Sequence, residues 1–86
     1  MMNIGNIVGK RIKELLYEKD ISVYRLSRIT CLTEKTINDL IKGESKDVKL
    51  STIYAIIKAL NISINEFFLK DYFANDNVDI WGVIWL

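Results

Sequence analysis

The 86 residues contain no proline, no histidine, one cysteine and four glycines. Without proline, no residue forces a kink inside a helix. Without histidine, there is no imidazole to serve as base, proton shuttle or metal ligand. The single thiol, Cys31, closes no internal disulfide and builds no thiolate zinc site, which suits a reducing compartment. It is expected as a small buried or half-buried side chain, not a nucleophile. Neither G-x-x-x-x-G-K nor G-x-G-x-x-G occurs, and the carboxylate pair Asp76 and Asp79 sits in a turn-like stretch without a basic partner. The longest apolar run, IWGVIWL, is too short to span a bilayer. The leading MMNIGNIVGKRIKE carries charge too early and too regularly for a secretory signal. The expectation is a cytoplasmic protein, not an enzyme, with no metal, no cofactor and no membrane partner.

What is present is an apolar half: 50% of the residues are hydrophobic, enough for one small globular domain and too many for a disordered chain. Net charge is +1, but residues 1–49 hold ten Lys/Arg against seven Asp/Glu, while residues 50–86 hold two against four. A basic first half hints at a polyanion on one side of the molecule.

Periodicity and capping residues divide the chain into five helical segments. Over residues 4–19, Ile4, Val8, Ile12, Leu15 and Leu16 recur at helical spacing, and Lys10, Lys13, Glu14 and Glu18 fall off that stripe. Ser22 stands where an N-cap belongs before VYRLSRIT, with Leu26 and Ile29 inward. Thr33 caps a third segment, its hydroxyl placed to accept from the Thr36 amide. Gly43 ends it, because a left-handed residue past a helix costs glycine nothing. Ser51 opens a fourth helix with Ile53, Ile56, Ile57 and Leu60 inward. Ser63 and Glu66 have capping-box spacing before a fifth whose apolar face is Ile64, Phe67 and Phe68.

Residues 1–70 read as one domain and residues 71–86 as a tail. After the turn-like ANDN, the tail VDIWGVIWL is rich in strand formers and apolar on both faces. A lone strand does not stand by itself. It packs on its own helices or pairs with a second chain. Trp81, Ile84, Trp85 and Leu86 are the candidate dimerisation residues, since aromatics are enriched in interface cores. Phe68, Tyr72 and Phe73 could extend that surface.

Residues 23–42 have helix-turn-helix spacing, with Leu26, Leu32, Ile37 and Leu40 at the positions such a motif buries between its helices. Together with GKRIKELLYEKDIS before it and LSTIYAIIKALNISINEFF after it, the stretch from 4 to 69 resembles the Cro/C1-type helix-turn-helix family of phage repressors and bacterial regulators. The resemblance implies an all-α, five-helix, lambda-repressor-like domain that binds double-stranded DNA as a homodimer and regulates transcription in a repressor-like manner. Five positions differ from the family's usual residues. Val23 stands where the family has Gln, Ser27 where it has Ala, and Cys31 where it has Gly. Leu16 and Ile41 replace a buried Arg–Glu pair, an exchange of charges for an apolar contact that often costs nothing.

The resemblance places Thr33, Glu34, Lys35, Thr36, Asn38 and Asp39 at base edges. Lys35 can donate to guanine O6 and N7, Thr36 can touch a thymine methyl, and Glu34 and Asp39 can accept from cytosine N4. Ser22, Tyr24, Arg25, Lys42 and Lys46 are the phosphate candidates, joined by Lys10, Arg28 and Lys49. Two other readings stand beside this one: an antitoxin-like or adaptor module that holds a partner protein by its tail, and a reuse of the scaffold in which the acids of TEKTINDLIKG forbid DNA.

Overall fold

The computed structural model describes residues 4–43 and 48–69. They form five helices: α1 (Ile4–Lys19), α2 (Val23–Thr30), α3 (Glu34–Lys42), α4 (Leu50–Ala59) and α5 (Ile64–Phe68). All regular elements among the described residues are helical, so the expected all-α, five-helix architecture is the one found. The tail and its candidate residues Trp81, Ile84, Trp85 and Leu86 lie outside the described residues, as do Lys46, Tyr72 and Phe73.

The helix ends follow local chemistry. Ser22, Thr33 and Ser63 each sit in extended backbone, and their hydroxyls accept from the amides of Arg25, Thr36 and Glu66. After α1, α2, α3 and α4 the chain turns left-handed. Gly43 does so at φ 72°. Asp20 and Asn61 do so at φ 55° and 56°, types that tolerate this region better than most. After α1, Ile21 N–H donates to Leu16 O and Asp20 N–H to Tyr17 O. After α4, Ile62 N–H donates to Ile57 O and Asn61 N–H to Lys58 O. Both are Schellman closures that satisfy the last carbonyls of a helix. The start of α4 departs from expectation. It begins at Leu50, one residue before Ser51, and its N-cap Lys49 makes no side-chain cap bond.

One apolar cluster joins the helices. Val8, Ile12, Leu15 and Leu16 of α1 meet Leu26 of α2, Ile37 and Leu40 of α3, Ile53, Ile56 and Ile57 of α4, Leu60, and Phe67 of α5. Ile7, outside the expected stripe, is also fully buried. Two expected core residues are not in it: Ile29 and Ile64 are 49% and 52% exposed. Each belongs to a short helix whose single turn of apolar contact is already supplied by a neighbour, Leu26 in α2 and Phe67 in α5.

The most extensive packing between helices is α1 against α3, and Gly9 permits it. A Cβ there would lie 2.8 Å from Ile41 O and closer still to Leu40 O. At the end of α3, Asn6 Nδ2 donates to Gly43 O at 3.2 Å. A Cβ on Gly43 would come within 2.7 Å of that Nδ2 and 3.0 Å of the Asn6 Cα. Gly43 is therefore required twice, for its φ and for the approach of α1.

Sequence reading missed one buried charge. Arg11 is 4% exposed. Its Nε donates to Phe67 O at 2.7 Å and its Nη2 to Glu66 O at 2.8 Å, and its Nη1 lies 3.7 Å from a Glu14 carboxylate oxygen. A cation on the closing carbonyls of a helix is favoured by both hydrogen bonding and the dipole. The signal was in the pattern: Arg11 follows Ile7 and Val8 by four and three positions, on the apolar face.

Candidate nucleic-acid interface

The turn between α2 and α3 is built from side-chain oxygens. Thr30 Oγ1 donates back to Leu26 O at 2.8 Å and accepts from Leu32 N–H at 3.2 Å. Cys31 occupies the left-handed region at φ 63°, at the position where the resemblance has glycine. Its side chain is exposed, against the expectation of burial, because the left-handed residue sits on the outside of the bend. Leu32 then packs half-buried against the core, and Thr33 starts α3 by accepting from Thr36 N–H at 3.1 Å.

Those contacts decide which way α3 faces. Ile37 is fully buried and Leu40 nearly so. Thr33, Glu34, Lys35, Thr36, Asn38 and Lys42 are exposed and Asp39 is half-buried. Five of the six residues expected at base edges are thus exposed and the sixth, Asp39, is half-buried, with no part of the described molecule over Lys35 or Thr36. Among them, the Thr33 and Thr36 hydroxyls are 2.8 Å apart, and Lys35 Nζ lies 3.0 Å from Asp39 Oδ2. The four charges of α3 cancel: Glu34 and Asp39 against Lys35 and Lys42.

Positive charge comes from α2, which carries Arg25 and Arg28 and no acid. The Arg28 guanidinium sits 5.9 Å from the centre of the Tyr24 ring, which is 58% exposed. Ser22 Oγ is already engaged by Arg25 N–H at 3.0 Å, so what Ser22 offers a phosphate is the helix terminus rather than a spare hydroxyl. Lys10 and Lys49 are exposed. An open hollow of about 940 Å³ runs between the end of α1, the start of α2 and the flank of α3. Lys13, Tyr17, Ser22, Val23, Arg25 and Asn38 line it along with Leu16 and Ile41. Lys13 and Tyr17 were not singled out from sequence, because nothing local says that the end of α1 faces α3. Leu16 and Ile41, the apolar replacements, both border this hollow and belong to the same apolar cluster, Leu16 buried and Ile41 half-buried.

A capped helix held by its predecessor, with its polar face outward beside a basic helix, is the arrangement of a groove-reading element. The sequence profile of the Cro/C1-type HTH DNA-binding domain matches residues 11–69. The chain belongs to the Cro/C1-type helix-turn-helix family. Two relatives come from Bacillus subtilis (strain 168), both SPbeta prophage-derived uncharacterized HTH-type transcriptional regulators. YotL is 28% identical over 65 residues, 76% of this chain and 81% of YotL. YopO is 37% identical over 60 residues, 69% of this chain and 83% of YopO. Among solved structures, the prophage Lp1 protein 11 superposes with a TM-score of 0.75 at 25% identity, over 87% of this chain and 99% of that one. The Cro/C1-type chain is thus a member of a family of DNA-binding transcriptional regulators. None of its described helices is long and apolar enough to cross a membrane, and its described residues hold no group of three His, Cys, Asp or Glu that could hold a metal ion.

Proposed function

We propose that this chain is a cytoplasmic, repressor-like transcriptional regulator that binds an operator as a homodimer, without enzymatic activity. The observation that carries the reading is the outward polar face of α3, capped by Thr33 and pinned from beneath by Ile37 and Leu40. Its N-terminal half enters a major groove about 12 Å wide. Thr33, Glu34, Lys35, Thr36, Asn38 and Asp39 read base edges. Phosphates are met by the N-terminus of α2 at Ser22 and Tyr24, by Arg25, and by Lys42 and Lys46. Lys13 and Tyr17, at the hollow beside α2, extend that strip. The YotL and YopO relatives, described as prophage-derived regulators, support the transcriptional role.

One reader covers about one half-site, so two-fold binding needs a joint between subunits. The apolar tail, with Trp81, Ile84, Trp85 and Leu86, supplies it in this reading. Selection of bound sequences from a random duplex pool tests both parts: a palindromic consensus is expected, and the absence of any enriched sequence would overturn the proposal. Sedimentation of a chain ending at Asn75 is expected to show a monomer where the full chain is a dimer. An unchanged mass would remove the tail from the interface.

A further inference from the structure

The ion pair on α3 runs in the order that helps a helix less. In an exposed helix a pair four residues apart helps most when the acid precedes the base, in line with the dipole. Glu34 and Lys42 obey that order at the two ends of α3. Lys35 and Asp39 reverse it, and still close at 3.0 Å. Their exposures are unequal: the Lys35 side chain is 85% exposed and that of Asp39 35%. The half-covered acid holds the tip of a long, exposed side chain. Helix stability gains less from this pair than it would from the opposite order.

That geometry matches one base pair. The major-groove edge of G·C presents guanine acceptors N7 and O6 beside the cytosine N4 donor. O6 and N4 are hydrogen-bonded to each other, so they lie about 2.7–3.2 Å apart. Lys35 Nζ and Asp39 Oδ2 have the same separation and the opposite polarity. An ammonium carries three N–H donors, enough to keep Asp39 and reach guanine O6 and N7 together. An A·T pair defeats the couple at both points. The adenine N6 donor faces the ammonium, and the thymine O4 acceptor faces the carboxylate. Resting on Asp39 also spares Lys35 part of the ordering cost that a free lysine meets on binding.

Building on the reading of α3 as the base-contacting helix, we propose that Lys35 and Asp39 act as one unit that reads a single G·C pair, with Asp39 both positioning Lys35 over the guanine and accepting from the cytosine N4. An acid on a DNA-facing helix then has a purpose: it is neutralised by Lys35 in the free protein and by N4 in the complex.

The test is site selection with the full chain and with Lys35→Ala, Asp39→Ala and the double variant. Titration follows on duplexes carrying each of the four base pairs at the position that Lys35→Ala relaxes. The unsubstituted chain is expected to prefer G·C there by at least about five-fold. Each single variant loses that preference at the same position, and the double variant loses no more than Lys35→Ala alone. Asp39→Leu, of similar size and without an acceptor, guards against a folding effect and is expected to lose the same preference with far-ultraviolet circular dichroism unchanged. Relaxation of different positions by Lys35→Ala and Asp39→Ala, additive losses, or a selected pair other than G·C would overturn the unit while leaving α3 as the reader. If Lys35→Ala relaxed no position at all, the base-reading role of Lys35 would fall, and this unit with it.

Discussion

Replacing Gly9 by alanine is expected to destabilise the domain, with a sign opposite to that of an ordinary helical glycine. Inside an exposed helix the exchange gains roughly 0.8–1.0 kcal/mol from backbone propensity. Here the added methyl would sit 2.8 Å from Ile41 O and 3.2 Å from its carbonyl carbon, with Leu40 O nearer still. These are backbone atoms of α3, so no side-chain rotation relieves the overlap and α1 must back away. Leu40 O also accepts from Gly43 N–H at 3.0 Å, so the displacement reaches the C-cap of α3. Overpacking of a tight interior typically costs 1–3 kcal/mol, and rigid neighbours put this case at the upper end. After the propensity gain, a net loss of about 2 kcal/mol remains, or a melting temperature lower by roughly 10 °C for a domain of this size. Urea unfolding followed by circular dichroism measures it, and the midpoint is expected to fall at constant slope. A variant as stable as the parent, or more stable by the propensity gain, would refute the close packing of α1 on α3 as the reason for glycine.

Four further outcomes are expected. Arg11→Met should cost about 2–4 kcal/mol in the same unfolding assay, since two charge-assisted bonds to the end of α5 are lost and their carbonyls left bare; a loss below about 1 kcal/mol would show that water replaces the guanidinium. Thr33→Ala should cost about 1 kcal/mol by removing the N-cap of α3, and an unchanged urea midpoint would show the cap to be idle. Cys31→Gly should raise stability by about 0.5–1 kcal/mol, because the left-handed backbone at φ 63° burdens a residue with a Cβ and not glycine; calorimetry showing a lower melting temperature would contradict it. Lys35→Ala should weaken binding to the selected operator by about 1–3 kcal/mol, and a fluorescence titration with no change would reject its base contact.

Much of the fold was legible because it is encoded locally. Ser22, Thr33, Ser63 and Gly43 mark helix ends through bonds spanning a few residues, and those bonds are present. The stripes Val8–Ile12–Leu15 and Ile53–Ile56–Ile57 announce buried faces by spacing alone, and they are buried. Where several apolar residues compete on a short helix, spacing does not say which is covered: Leu26 and Phe67 are buried, while Ile29 and Ile64 stay out. The left-handed ends at Asp20 and Asn61 carry no glycine, so no residue type in the sequence marks them plainly as Schellman closures.

What the amino-acid order determined by itself is the set of helices, the caps at Ser22, Thr33, Gly43 and Ser63, and the two-sided pattern of α3, because each depends on groups within one or two turns of each other. Only the tertiary structure decided that Arg11 closes α5, 55 and 56 positions away along the chain. It alone showed that Gly9 lets α1 lie against the carbonyls of α3, and that Lys13 and Tyr17 stand beside the start of α2. Those facts depend on how whole helices cross, which is set by the summed packing of many side chains and is written in no single stretch of sequence.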